Sequence, residues 1–195
     1  MSYKIGVFGS ASSASDEEIR EKAKKLGRAI AKSGCILTSG GCEGLPYAAS
    51  KEAHKNNGKT LAYSSAKDVK KHKETFSLSE DIFSDYVFVP KDFPYSSNRP
   101  VCLKYRNVIS CSQSDAGIII SGRMGTLNEF TNLYDFGKVI GVLEKTGGVS
   151  DMLRELVTAV NKKSNAEVIY DDNPERLVKK VVEAIKKRRK NETAI

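Results

Sequence analysis

One segment restricts the fold of this chain more than any other: Asp115-Ala116-Gly117-Ile118-Ile119-Ile120-Ser121-Gly122-Arg123-Met124-Gly125-Thr126-Leu127-Asn128-Glu129. A short apolar run with β-branched residues enters a glycine-bearing turn, and helix-like sequence follows. This is a strand, a loop and a helix start, the place where α/β proteins hold bound phosphate. A helix N-terminus offers unpaired backbone N–H groups and a partial positive charge. Gly122 and Gly125 let the backbone approach an anion closely, and Thr126 adds a hydroxyl donor. Glu129 follows Gly125 by one helical turn, so its carboxylate can project beside whatever the turn holds. A carboxylate beside a phosphate ester is electrostatically awkward and asks for a chemical reason. The plain alternative is a solvated carboxylate in the first turn of a helix.

The same strand–helix alternation runs along the whole chain. Strands are expected at Lys4–Phe8, Cys35–Thr38, Lys59–Tyr63, Asp85–Val89, Ala116–Ile120, Val139–Leu143 and Glu167–Tyr170. Helices are expected over Asp16–Lys32, with Ser15 or Asp16 as N-cap, then through Ala48, Ala49 and Ala53. Others follow from Asn98 to Gln113, Leu127 to Phe136, Val149 or Ser150 to Lys162, and Pro174 to Lys190. Ser64 to Ser84 is the least readable stretch and reads as a surface excursion with a short helix. Repeated βα units with short apolar strands predict a doubly wound, mainly parallel sheet of about seven strands, flanked by helices on both faces. No shift in composition marks a linker, so residues 1–195 are expected to form one domain.

Such sheets bind ligands beyond the carboxyl ends of their strands, near a topological switch point. Three loops have the right character: Gly9–Ser13, Gly40–Gly44 and Gly122–Thr126. All three follow strands and so share one edge of the sheet. That convergence makes Gly9, Ser10, Gly40, Gly41, Gly122, Arg123, Gly125 and Thr126 the candidate phosphate-binding set. The four cysteines, Cys35, Cys42, Cys102 and Cys111, form no CxxC pair, and no histidine stands near them at zinc spacing, so no metal site is expected. They read as free, partly buried thiols. His54 and His72 sit among lysines and read as solvent-facing. Net charge is +8, but it is dispersed; its densest run, Lys186-Lys187-Arg188-Arg189-Lys190, reads as a solvated helix end. Nucleic acid is therefore not expected as a partner. No apolar stretch approaches the roughly 20 residues of a membrane span. The N-terminus runs straight into a strand-like segment without the marks of a signal peptide, so a cytoplasmic location is expected.

Val7-Phe8-Gly9-Ser10-Ala11-Ser12, Thr38-Ser39-Gly40-Gly41-Cys42-Glu43-Gly44-Leu45, Tyr105-Arg106-Asn107 and Gly122-Arg123-Met124-Gly125-Thr126-Leu127-Asn128-Glu129 occur in the order seen in the LOG (Lonely Guy) family. The resemblance covers roughly residues 3 to 170, and its form is closest to the branch labelled molybdenum-cofactor carriers. It implies a Rossmann-like fold and a homodimer or higher homo-oligomer. The implied activity is hydrolysis of the N-glycosidic bond of a nucleoside 5′-monophosphate, cytokinin-nucleotide or AMP-like, to free base and ribose 5-phosphate. The alternative is a non-catalytic nucleotide or cofactor binder, a sensor or carrier. The family's older decarboxylase label finds no support, since nothing marks a lysine for a pyridoxal Schiff base, and no cofactor is expected.

By the same resemblance Arg106 and Glu129 are the catalytic pair, with Gly125 and Thr126 on the 5′-phosphate. Departure of a base creates oxocarbenium character at the anomeric carbon, which a carboxylate stabilises while it orients or activates water. Arg106 binds phosphate or neutralises the departing base; its plain alternative is a surface salt bridge. Two departures stand out. The family motif usually begins Pro-Gly-Gly, whereas this chain has Ser121-Gly122-Arg123. The usual Arg-Lys pair is here Arg106-Asn107. Arg123 binds an additional phosphate or points to solvent.

Overall fold

Strands whose residues are apolar throughout need cover on both faces, and this chain builds that cover by alternation. In the computed structural model, which describes residues 2–11, 16–76, 78 and 81–193, strands and helices alternate to the end. The strands are β1 (Lys4–Gly9), β2 (Ile36–Ser39), β3 (Thr60–Tyr63), β4 (Asp85–Val87), β5 (Ala116–Ile120), β6 (Val139–Leu143) and β7 (Glu167–Asp171). The helices are α1 (Glu17–Lys32), α2 (Leu45–Lys55), α3 (Val69–Thr75), α4 (Arg99–Gln113), α5 (Met124–Asp135), α6 (Val149–Val160) and α7 (Pro174–Thr193). All strand pairs are parallel, in the order β4-β3-β2-β1-β5-β6-β7. This is the Rossmann-like α/β fold.

The strand order reverses between β1 and β5. From β1 the chain steps outward through β2, β3 and β4, then returns along α4 to β5 on the other side. Gly9 pairs with Ile120, so the loops after β1 and β5 leave the sheet side by side. A crevice opens at such a switch point because the two loops part in opposite directions.

Period-2 alternation sends successive strand residues to opposite cores. Ile5, Val7, Ile118 and Ile120 pack under α1, α2 and α7 with Leu26, Ala49 and Val181. Phe8, Ile119 and Val142 face the other way, onto Phe130 and Leu133 of α5 and Leu153 of α6. Helix α1 is capped by Asp16, whose carboxylate accepts from Glu18 N at 3.0 Å and Ile19 N at 3.3 Å. The other cap candidate, Ser15, and the loop residues Ser12 and Ser13 lie outside the described residues.

Three expectations are corrected. Helix α5 begins at Met124, not Leu127, which brings Gly125 and Thr126 inside its first turn. The 64–84 stretch is not merely a surface excursion: Ile82 and Phe83 are buried against Ala62, covering the β3–β4 end of the sheet. His72 is not solvent-facing but 1% exposed, with its ring against Phe76 and Tyr86 at 5.1 and 5.2 Å. Its lysine neighbours misled because residues adjacent along a helix point about 100° apart. Burial holds the His72 imidazole below its ordinary pKa. His54 is exposed as expected.

Candidate functional site

At the carboxyl edge, the loops after β1, β2 and β5 close around a cleft of about 160 Å³. Gly9, Ser10, Gly40, Arg123, Gly125 and Thr126 line it together with Arg106 and Glu129. Two of the predicted residues do not line it. Gly41 turns away, where an added Cβ would lie 3.0 Å from the His72 ring. Gly122 sits behind Thr126, where an added Cβ would fall 2.5 Å from the Thr126 hydroxyl. Both shape their turns instead of facing the opening.

The β5–α5 turn is unusual in backbone terms. Ser121 at φ 53 and Gly122 at φ 102 are both left-handed, and for serine that conformation costs about 1–2 kcal/mol. Bonds from the next βα connection hold it in place. Ser121 N donates to Thr146 Oγ1 at 2.9 Å. Val149 N and Ser150 N, at the start of α6, donate to Gly122 O and Ser121 O at 2.9 and 3.2 Å. In a trans peptide the N–H opposes the C=O, so the Arg123 N–H points away from α6. Helix α5 has no side-chain cap and no acidic residue in its first turn, leaving its first N–H groups open to an anion. At Gly125 an added Cβ would meet nothing within 4 Å, so the space outside the helix is open there. Arg123 is exposed at the rim.

Facing this turn is the Arg106–Glu129 pair. Arg106 comes from the middle of α4, and its guanidinium lies directly on Gly40, where a Cβ would fall 1.7 Å from Nη1. A larger residue at 40 would displace it, so the second glycine turn serves the arginine as well as the opening. The surface-salt-bridge alternative does not hold, because Arg106 Nε is buried with no hydrogen-bond partner among the described residues. Glu129 is 8% exposed in the second turn of α5, so it is no solvated first-turn carboxylate. Burial pushes its carboxyl up to about 7, opposed by the positive charges of Arg106 and Lys104. A group titrating there is available in both protonation states at neutral pH.

Sequence reasoning noted Asn107 as a departure but did not place it in the site. It is 4% exposed and lines the cleft, with its Nδ2 donating to Asn128 Oδ1 at 3.1 Å. Cys42, partly exposed, also reaches the rim. The anchors Thr146, Val149 and Ser150 carried no local signal, since their partners lie about 25 residues upstream. Among the described residues no group of three or more His, Cys, Asp or Glu could hold a metal ion, and no helix is long and apolar enough to cross a membrane.

The family model for the SLOG cluster4 family matches residues 2–178. The chain belongs to that family. Membership agrees with the LOG-like resemblance of its motifs. No curated protein matches the chain. Among solved structures, TM1055 aligns at 20% identity and TM-score 0.74, over 93% of this chain and 99% of its own. The molybdenum cofactor binding protein from the phototrophic bacterium Rippkaea orientalis aligns at 22% identity and TM-score 0.70, over 95% and 98%. DNA processing protein A from Streptococcus pneumoniae aligns at 20% identity and TM-score 0.66, over 91% of this chain but 60% of its own. At these identities the likeness is one of fold.

Proposed function

We propose that this SLOG-family chain hydrolyses the N-glycosidic bond of a nucleoside 5′-monophosphate, releasing free base and ribose 5-phosphate. The observation that carries the reading is Glu129: a buried carboxyl titrating near 7 in the same cleft as Arg106 and an uncapped helix N-terminus. The 5′-phosphate takes the N–H groups of α5 with the Thr126 hydroxyl, and Gly125 leaves it room. Ionised Glu129 then faces the ribose, where it stabilises positive charge at the anomeric carbon and orients the attacking water. Arg106 offsets negative charge on the departing base. Binding energy at the phosphate positions the sugar against the carboxylate, which a phosphate alone would repel.

The second reading is a carrier or sensor that binds without turnover. The left-handed Ser121 and the exposed Arg123 favour it, as does structural similarity to a molybdenum cofactor binding protein. A nucleic-acid partner forms no part of either reading. Two arginines of the basic run are tied to the protein: Arg188 donates to Gly137 O and Asn165 O, and Arg189 to Asp115. The deciding experiment incubates purified protein with a panel of nucleoside monophosphates and assays free base and ribose 5-phosphate. Release from at least one nucleotide is expected; nucleotide binding without release from any would support the carrier.

A further inference from the structure

The cleft holds polar groups that the protein leaves incomplete. Asn107, 4% exposed, uses one end of its amide on Asn128, while Oδ1 is buried with no partner among the described residues. Its neighbour Arg106 keeps a buried Nε–H without an acceptor among the described residues. Glu129 is 8% exposed, its carboxyl pushed up by burial against the opposing charges of Arg106 and Lys104. Buried groups without partners are costly and rare in folded chains, so two of them beside a buried carboxyl in one small cleft form an arrangement that a ligand completes.

The chemistry of these groups restricts that ligand. A carboxylate accepts, an Arg Nε–H donates, and an amide end does one or the other. A phosphate only accepts; it would satisfy Arg106 but be repelled by Glu129. A sugar hydroxyl is neutral, donates and accepts, and adjacent hydroxyls on one ring can serve all three groups. We infer that Asn107 is a specificity-determining residue that reads the 2-hydroxyl of a phosphorylated ribose, beside the carbon that Glu129 faces. The inference rests on the proposed reading that the cleft takes a ribose phosphate. The lysine usual at this position in the resembling family is a cation suited to an anion. The neutral amide suits a hydroxyl.

The test is calorimetric titration of the whole protein with ribose 5-phosphate, 2-deoxyribose 5-phosphate and inorganic phosphate. Neither sugar carries a base, so turnover does not interfere. Ribose 5-phosphate should bind at least about tenfold more tightly than its 2-deoxy analogue, because a site built around a hydroxyl rejects a ligand lacking it. Asn107→Leu should bring the two within about twofold of each other and leave inorganic phosphate unchanged. The unliganded Asn107→Leu protein should melt within a few degrees of wild type, since the substitution removes an unmet buried acceptor together with the bond to Asn128 Oδ1. Equal binding of both sugars by wild type, no binding of ribose 5-phosphate, or discrimination retained in Asn107→Leu would each overturn the inference. Should the variant fail to fold, the wild-type comparison decides. Sugar discrimination without base release removes the hydrolase and keeps this role for Asn107; base release without discrimination does the reverse.

Discussion

At Glu129 burial and chemistry pull in opposite directions. Its carboxyl titrates near 7 in the folded chain against an ordinary 4.5, and burial is the main cause. A folded pKa raised above the unfolded one contributes stability that is fully present below about 4.5 and lost as pH rises through about 7. Ionised Glu129 therefore weakens the fold at pH 8 by roughly 3 kcal/mol relative to its protonated form. Glu129→Gln, uncharged and similar in size, should raise the melting temperature by several degrees at about pH 8 and by little near pH 4. Calorimetric scans at both values check this, and an unchanged or lower melting point at pH 8 would show that the carboxylate is not destabilised by burial. On the proposed reading, base release by the same variant should fall about a hundredfold or more, with nucleotide affinity similar or improved. Wild-type turnover should rise with pH to a plateau above about 7, falling about tenfold one unit below, because the ionised form acts. A rate that instead climbs on acidification would assign Glu129 the role of an acid.

At the scale of elements, the β5–α5 turn is a joint product of two βα connections. Ser121 holds φ 53 and gives its N–H to Thr146. Proline, usual at this position in the resembling family, fixes φ near −65° and has no N–H. Its replacement by serine thus changes the backbone path, not only a side chain. Ser121→Pro should destabilise the chain by about 3 kcal/mol or more in urea denaturation. Near-native stability in that variant would mean that the turn is not held as described. The glycines at 122 and 125 announced a turn and a helix start, and both are there. What the local pattern did not carry was the left-handed Ser121, which depends on the hydroxyl of Thr146 and on the first N–H groups of α6, supplied by a later connection.

At the scale of the molecule, α4 and α5 supply the Arg106–Glu129 pair and expose apolar side chains nearby, with Val108 40% and Met124 74% accessible. We propose a homodimer formed through these helices, in line with the family resemblance. Light scattering at micromolar concentrations should report about twice the 21.4 kDa chain mass. Val108→Glu should shift the protein toward monomer, since a buried charge without a partner opposes association. A monomer mass for wild type over a wide concentration range would reject this assembly.

Local information sufficed for the sheet and its loops. Strand periodicity, β-branched runs and glycine turns act within a few residues, and the strands at Ala116–Ile120 and Val139–Leu143 formed at the boundaries their sequence predicts. The shared edge of the glycine loops followed too, because every parallel strand delivers its following loop to the same side. Burial did not follow. His72 stands among lysines yet is enclosed by aromatic rings from elsewhere in the chain, and Glu129 carries no local mark of its elevated pKa. Both states depend on which distant residues exclude water from a side chain, and that is settled only when α3 closes over β3–β4 and α4 packs against α5. The incomplete amide of Asn107 belongs to the same class. Sequence placed it beside Arg106, but only tertiary packing put it in the cleft with one end on Asn128 and the other without a partner among the described residues.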